Sequence, residues 1–90
     1  MKVTPQQLSI INLLLQIDWE GKAKQYALSE LTIASDIFKE IKKNVDEDKF
    51  IEWEIELTSE QKVFITKQID ERKWTVGDAE NIFELKTLLK

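Results

Sequence analysis

The stretch Phe50-Ile51-Glu52-Trp53-Glu54-Ile55-Glu56-Leu57-Thr58-Ser59-Glu60-Gln61 decides the fold class of this 90-residue chain. From Phe50 to Leu57 apolar and acidic residues alternate, with Ile51, Trp53, Ile55 and Leu57 on one side and Glu52, Glu54 and Glu56 on the other. A period of two belongs to a β-strand with one dry and one wet face. The pattern breaks at Thr58. Thr58 with Gln61 three residues later is a capping box, in which the hydroxyl accepts from the Gln61 backbone N–H and the Gln side chain reaches back. A helix carrying Val63, Phe64, Ile65 and Ile69 therefore follows and runs to about Arg72. The chain is expected to be mostly α, of the α+β class, with about four helices and one short strand at residues 50–57. A lone strand cannot satisfy its own backbone, so something must pair with it. The candidates are the segment from Lys22 to Tyr26, or the same strand of a second copy in a homodimer.

Toward the N-terminus, Val3-Thr4-Pro5-Gln6-Gln7-Leu8 repeats the same logic. Thr4 caps, Pro5 suits the first helical position, Gln7 completes the box, and Val3 with Leu8 occupies the staple positions. Leu8, Ile10, Ile11, Leu13, Leu14, Leu15 and Ile17 make this helix apolar on more than one face, which predicts a central place in the fold. It ends near Asp18-Trp19-Glu20-Gly21. The longest helix is predicted from about Tyr26 to Val45, where Ala27, Leu31, Ala34, Phe38, Ile41 and Val45 recur at alternating spacings of four and three, a seam widened by Leu28 and Ile37. That seam suits packing inside the chain, with the partner-packed coiled coil as the other reading. Lys39, Lys42 and Lys43 crowd its last turns, where the helix dipole favours cations. Near the C-terminus Thr75 is the expected cap of a final helix bearing Ile82, Phe83, Leu85, Leu88 and Leu89, with Asp78 in its first turn. No repeat or linker divides the chain, so residues 1–90 form one domain.

Composition bounds the chemistry. Histidine and cysteine are both absent, which removes the commonest general base, the commonest metal ligand, and every nucleophile that relies on imidazole or thiol. Without cysteine there is no disulfide framework, and a cytoplasmic location is the expectation. No apolar run is long enough to span a membrane. Gly21 and Gly77 stand alone, outside any phosphate-binding loop. The run Asp46-Glu47-Asp48 fails as a calcium loop, because Phe50 falls where an oxygen ligand is needed and Ile51 where a glycine is needed. No cofactor, metal site or catalytic residue is expected, and no enzymatic activity.

A net charge of −4 disfavours gripping a phosphate backbone. The last two helices could be drawn as a helix-turn-helix, but Asp78, Glu80 and Glu84 lie where a groove-reading helix carries cations or amides. Between Asp46 and Glu56 six carboxylates stand against Lys49, and Glu52, Glu54 and Glu56 would lie about 6–7 Å apart along the strand. This near-phosphate spacing raises the idea of a nucleic-acid mimic that occupies a basic binding surface. The plainer reading, a solvated strand face whose charges discourage edge-to-edge association, is favoured. Of three tryptophans, Trp53 and Trp74 have core explanations. Trp19, in the loop beside Gly21, divides between packing and recognition.

The early helix from Leu8 to Leu15, the junction Ile55-Glu56-Leu57-Thr58-Ser59-Glu60, and the closing Trp74 with Leu85-Lys86-Thr87-Leu88-Leu89 give the chain a layout that resembles small uncharacterised proteins of bacteriophage and prophage genomes. The resemblance implies a bacterial or phage-infected cytoplasm and a role through binding. The expected function is thus a small acidic protein-interaction module. Trp19, Glu52, Glu54 and Glu56 are its candidate contact residues, and its partner is a protein or a second copy.

Overall fold

The computed structural model of the chain describes residues 1–18, 20–45 and 53–90. Within them the order is β1 (Lys2–Val3), α1 (Pro5–Gln16), α2 (Leu28–Val45), β2 (Trp53–Glu54), α3 (Ser59–Glu71), a 3-10 turn (Val76–Asp78) and α4 (Ala79–Leu88). The protein is therefore mostly helical, and both helix starts marked by a capping box fall where the sequence places them. Thr4 Oγ1 accepts from Gln7 N at 3.2 Å while Thr4 N donates to Gln7 Oε1 at 3.0 Å. Thr58 and Gln61 repeat the pair at 3.2 and 2.9 Å. Each box satisfies two backbone donors that a helix start otherwise leaves open.

Helix α1 packs against α2, α3 and α4. Leu8, Ile11, Leu14 and Leu15 are buried along it, and they meet Ala34, Ile37 and Ile41 of α2, Phe64, Ile65 and Ile69 of α3, and Ile82 and Leu85 of α4 in one cluster. Val3 and Ile55 bring the two strands into the same core. An apolar helix of several faces is buried best with neighbours on several sides, which is why α1 is the axis of the fold.

The strand pairing differs from expectation. β2 runs antiparallel to β1, with Lys2 opposite Glu54 and Val3 opposite Trp53. The ladder continues through Ile55 N donating to Met1 O at 2.9 Å and Met1 N donating to Ile55 O at 3.0 Å. β2 is paired within the chain by β1 and not by the segment 22–26, so an unpaired strand no longer argues for a homodimer. Two residues of strand have no period to detect, and Val3 was legible only as a staple. The segment expected to pair with the strand folds back on the end of α1 instead. Ile17 bridges Ala23, Asp18 N donates to Lys22 O at 2.8 Å, and Lys24 N donates to Gln16 O at 2.9 Å. Gly21 turns the chain at φ +83, a conformation that disfavours any side chain.

Two further expectations shift. Thr75 has the extended backbone of a cap but makes no capping bond; its hydroxyl donates to Asp78 Oδ2 at 3.0 Å, and a 3-10 turn intervenes before α4. The seam predicted along the longest helix is split. Ala34 and Ile41 are buried, whereas Ala27, Leu31 and Phe38 are exposed. Ile37, part of the widened seam, is wholly buried as expected, and half-buried Ile33 joins it. Apolar residues lie on both flanks of Ala34, and the helix has turned the 33-34-37-41 row to the core.

Tyr26 ties the loop before α2 to the body. Its hydroxyl donates to Leu15 O at 2.8 Å and its ring tilts 48° against Phe64 with centroids 5.9 Å apart. Burial, and then the charge of Glu30, push its pKa above the ordinary value. A neutral phenol is favoured in the folded state, so this contribution is complete below the unfolded pKa of about 10 and is lost as pH climbs through the raised folded value. Alkaline denaturation series should show that loss in the native sequence, and Tyr26→Phe should flatten it. At neutral pH the same variant should lose about 1 kcal/mol with its hydrogen bond. An unchanged alkaline slope in Tyr26→Phe would assign the loss to other groups.

Candidate interaction surface

Glu54, at the end of β2, and Glu56, two residues beyond it, are exposed on either side of buried Ile55 in the sequence, as the alternation requires. Their surroundings temper the acidity. Lys2 is the cross-strand neighbour of Glu54, an opposite-charge pairing across a ladder. The Glu56 backbone N–H donates to Glu40 Oε1 of α2 at 3.2 Å. Trp19 and Glu52 lie outside the described residues, so the structure joins only two of the four candidate contact residues.

The surface that sequence reasoning missed is on α2. Leu28 is 79% exposed, Leu31 47% and Phe38 40%. Leu28 and Leu31 are three apart, and Leu31 and Phe38 seven apart, so the three share one flank of the helix. Ala27 extends the stripe by one residue beyond the start of α2, and Ser35, half-buried, lies between Leu31 and Phe38. The exposed cations Lys39, Lys42 and Lys43 close the C-terminal end of this helix, giving a locally basic edge on an acidic molecule. The other large exposed apolar residues, Leu13, Val63, Val76 and Phe83, are spread over separate elements. Scattered apolar residues need no explanation, but a stripe on one helix does.

The signal for this surface was in the sequence as a seam of coiled-coil spacing. Ala34, Ile37 and Ile41 of it meet the core as expected, but Leu28, Leu31 and Phe38 do not, because spacing alone does not tell which part of a broadly apolar helix is covered. The stripe can supply apolar contact area and a flanking positive edge; it holds no group suited to general acid or base work. Among the described residues no group of three or more Asp or Glu is placed to hold a metal ion. No helix among them is long and apolar enough to cross a membrane. No family model, curated protein or solved structure matches this chain.

Proposed function

We propose that this chain is a protein-interaction module that works by surface contact in a bacterial or phage-infected cytoplasm, without covalent chemistry. The carrying observation is the outer stripe of α2. Leu28, Leu31 and Phe38 stay exposed on one flank although the core has closed around the neighbouring row. Covering them is worth up to about 1–2 kcal/mol for each side chain, and large apolar groups at the centre of a contact carry most of its energy. The partner this edge fits has an apolar groove rimmed with carboxylates, to meet Lys39, Lys42 and Lys43. The absence of histidine and cysteine supports the reading as well.

The test is a double substitution, Leu31→Asp with Phe38→Asp. Both sites are exposed, so the unfolding free energy should change by no more than about 1 kcal/mol. Binding of the native protein partner should weaken roughly thirtyfold or more. Retention of that partner at native affinity would sink the proposal. A homodimer is the special case in which the partner is a second copy, and concentration-dependent sedimentation that the double variant abolishes would identify it.

The mimicry alternative keeps one supporting observation, the exposure of Glu54 and Glu56. It predicts that Glu54→Gln with Glu56→Gln lowers affinity and weakens its salt dependence, an effect the α2 reading does not produce. Direct DNA binding by α4 gains nothing, since Asp78, Glu80 and Glu84 are exposed there.

A further inference from the structure

A second feature of the surface lies away from the α2 stripe and does not depend on it. The turn that follows α1 and the C-terminal end of α3 enclose a cleft of about 240 Å³ lined by Asp18, Lys24, Gln68, Glu71 and Arg72. It adjoins a shallower groove of about 440 Å³ that shares Asp18, Lys24 and Gln68 and adds Ala23 and Tyr26 among others. Five polar side chains from two elements far apart in sequence converge here, two of each sign around one amide.

Several of these groups are held in place before any ligand arrives. Arg72 Nη1 donates to Ile17 O at 2.7 Å, and the guanidinium lies 5.5 Å from the centre of the Trp74 ring. Trp74 is itself fixed by Nε1 donating to Ile69 O at 3.0 Å. Asp18 Oδ1 accepts from the backbone N–H of Glu20 and of Lys22, both at 2.9 Å. Gln68 is 8% exposed; its Oε1 accepts from Lys24 Nζ, and among the described residues its Nε2 has no hydrogen-bond partner. A buried amide nitrogen without an acceptor is a cost that a bound oxygen would remove.

Neither Lys24 nor Arg72 has a carboxylate within ion-pair distance among the described residues. Burial, and next the neighbouring charge of Arg72, hold the Lys24 pKa below its ordinary value, against the opposing pull of Glu71 and Asp18. Two like charges share a partly dry wall, where an anion interacts more strongly than in open water. A plain anion nevertheless meets Asp18 and Glu71 at the same cleft, and a plain cation meets Lys24 and Arg72. A ligand carrying both signs on neighbouring atoms satisfies all four.

We propose that this cleft binds a small zwitterion of the free α-amino-acid class. The carboxylate lies between Lys24 and Arg72 with the Gln68 amide as a further donor, and the ammonium faces Asp18 and Glu71. A preorganised guanidinium suits a carboxylate because its N–H groups form a planar fork. The adjoining groove past Ala23 and Tyr26 leaves room for the ligand's side chain.

The test is a titration of the full chain, followed by amide NMR shifts, with each of the twenty free amino acids. For any that bind, the N-acetyl derivative and the carboxamide follow, with acetate and inorganic phosphate as single-sign probes. The expected result is saturable shifts centred on residues 17–26 and 68–72 for at least one amino acid. Each derivative lacking one charge should bind at least tenfold more weakly. Glu71→Gln, at an exposed position, should fold normally and weaken binding fivefold or more. Absence of saturable shifts with all twenty would overturn the proposal. So would equal binding of acetate, phosphate or the N-acetyl derivative, which would show an unselective anion patch.

Discussion

Ile11→Ala should lower the unfolding free energy by about 2–5 kcal/mol in a urea titration. Ile11 is wholly buried at the middle of α1, the helix that touches each of the other three. Truncating it removes apolar contact and leaves a hole that no single neighbour can fill, since three helices would have to move together. A domain of this size has a net stability of roughly 5–15 kcal/mol at best, so the variant should be marginal at physiological temperature. Leu13→Ala is the internal control. Leu13 is on the same helix but exposed, and its replacement should change stability by no more than about 1 kcal/mol. Equal effects at the two positions would mean that α1 is not the axis of the core.

The second large effect is expected at the strand. Ile55 is wholly buried, and its backbone exchanges both hydrogen bonds with Met1. Ile55→Asp removes its apolar burial and places a carboxyl inside the apolar core cluster, a combined loss of roughly 4 kcal/mol or more. Burial sets the expected sign of its pH dependence. Burial raises the pKa of such a carboxyl in the folded state, so the variant should be least impaired in acid and worsen as pH rises through the unfolded pKa of about 4. Ile55→Ala should show the packing loss without that added slope. If Ile55→Asp proved as stable as the native chain, the β1–β2 pair would not be part of the core.

The parts of this fold that were legible are those governed by neighbours in sequence. Thr4 with Gln7 and Thr58 with Gln61 need only three residues of helix to meet, and they meet. The breadth of apolar surface on α1 forecast its central position. Alternation around Ile55 correctly left Glu54 and Glu56 in solvent. Thr75 shows where local logic ends. Its hydroxyl donates to Asp78 Oδ2 and accepts no capping N–H, because a 3-10 turn stands between Thr75 and α4.

The contact surfaces were less legible. Leu31 and Phe38 look like core residues from their spacing, and they become surface only because α2 is rotated to bring Ile37 inward. Lys2 opposite Glu54 depends on a strand pair separated by about half the chain. The cleft depends on Lys24 reaching Gln68, 44 positions away, and on Arg72 reaching back to Ile17, 55 positions away. No short motif records such meetings.

By itself the sequence determined the two capping-box helix starts, the central helix, the alternation around Ile55, and the want of imidazole and thiol chemistry. These depend on bonds and periodicities spanning a few residues. Only the tertiary structure decided which partner β2 takes, which row of α2 is covered, and which charges share a cleft. Those outcomes are set by how whole elements rotate and dock to fill one core, a choice among alternatives that similar spacing permits.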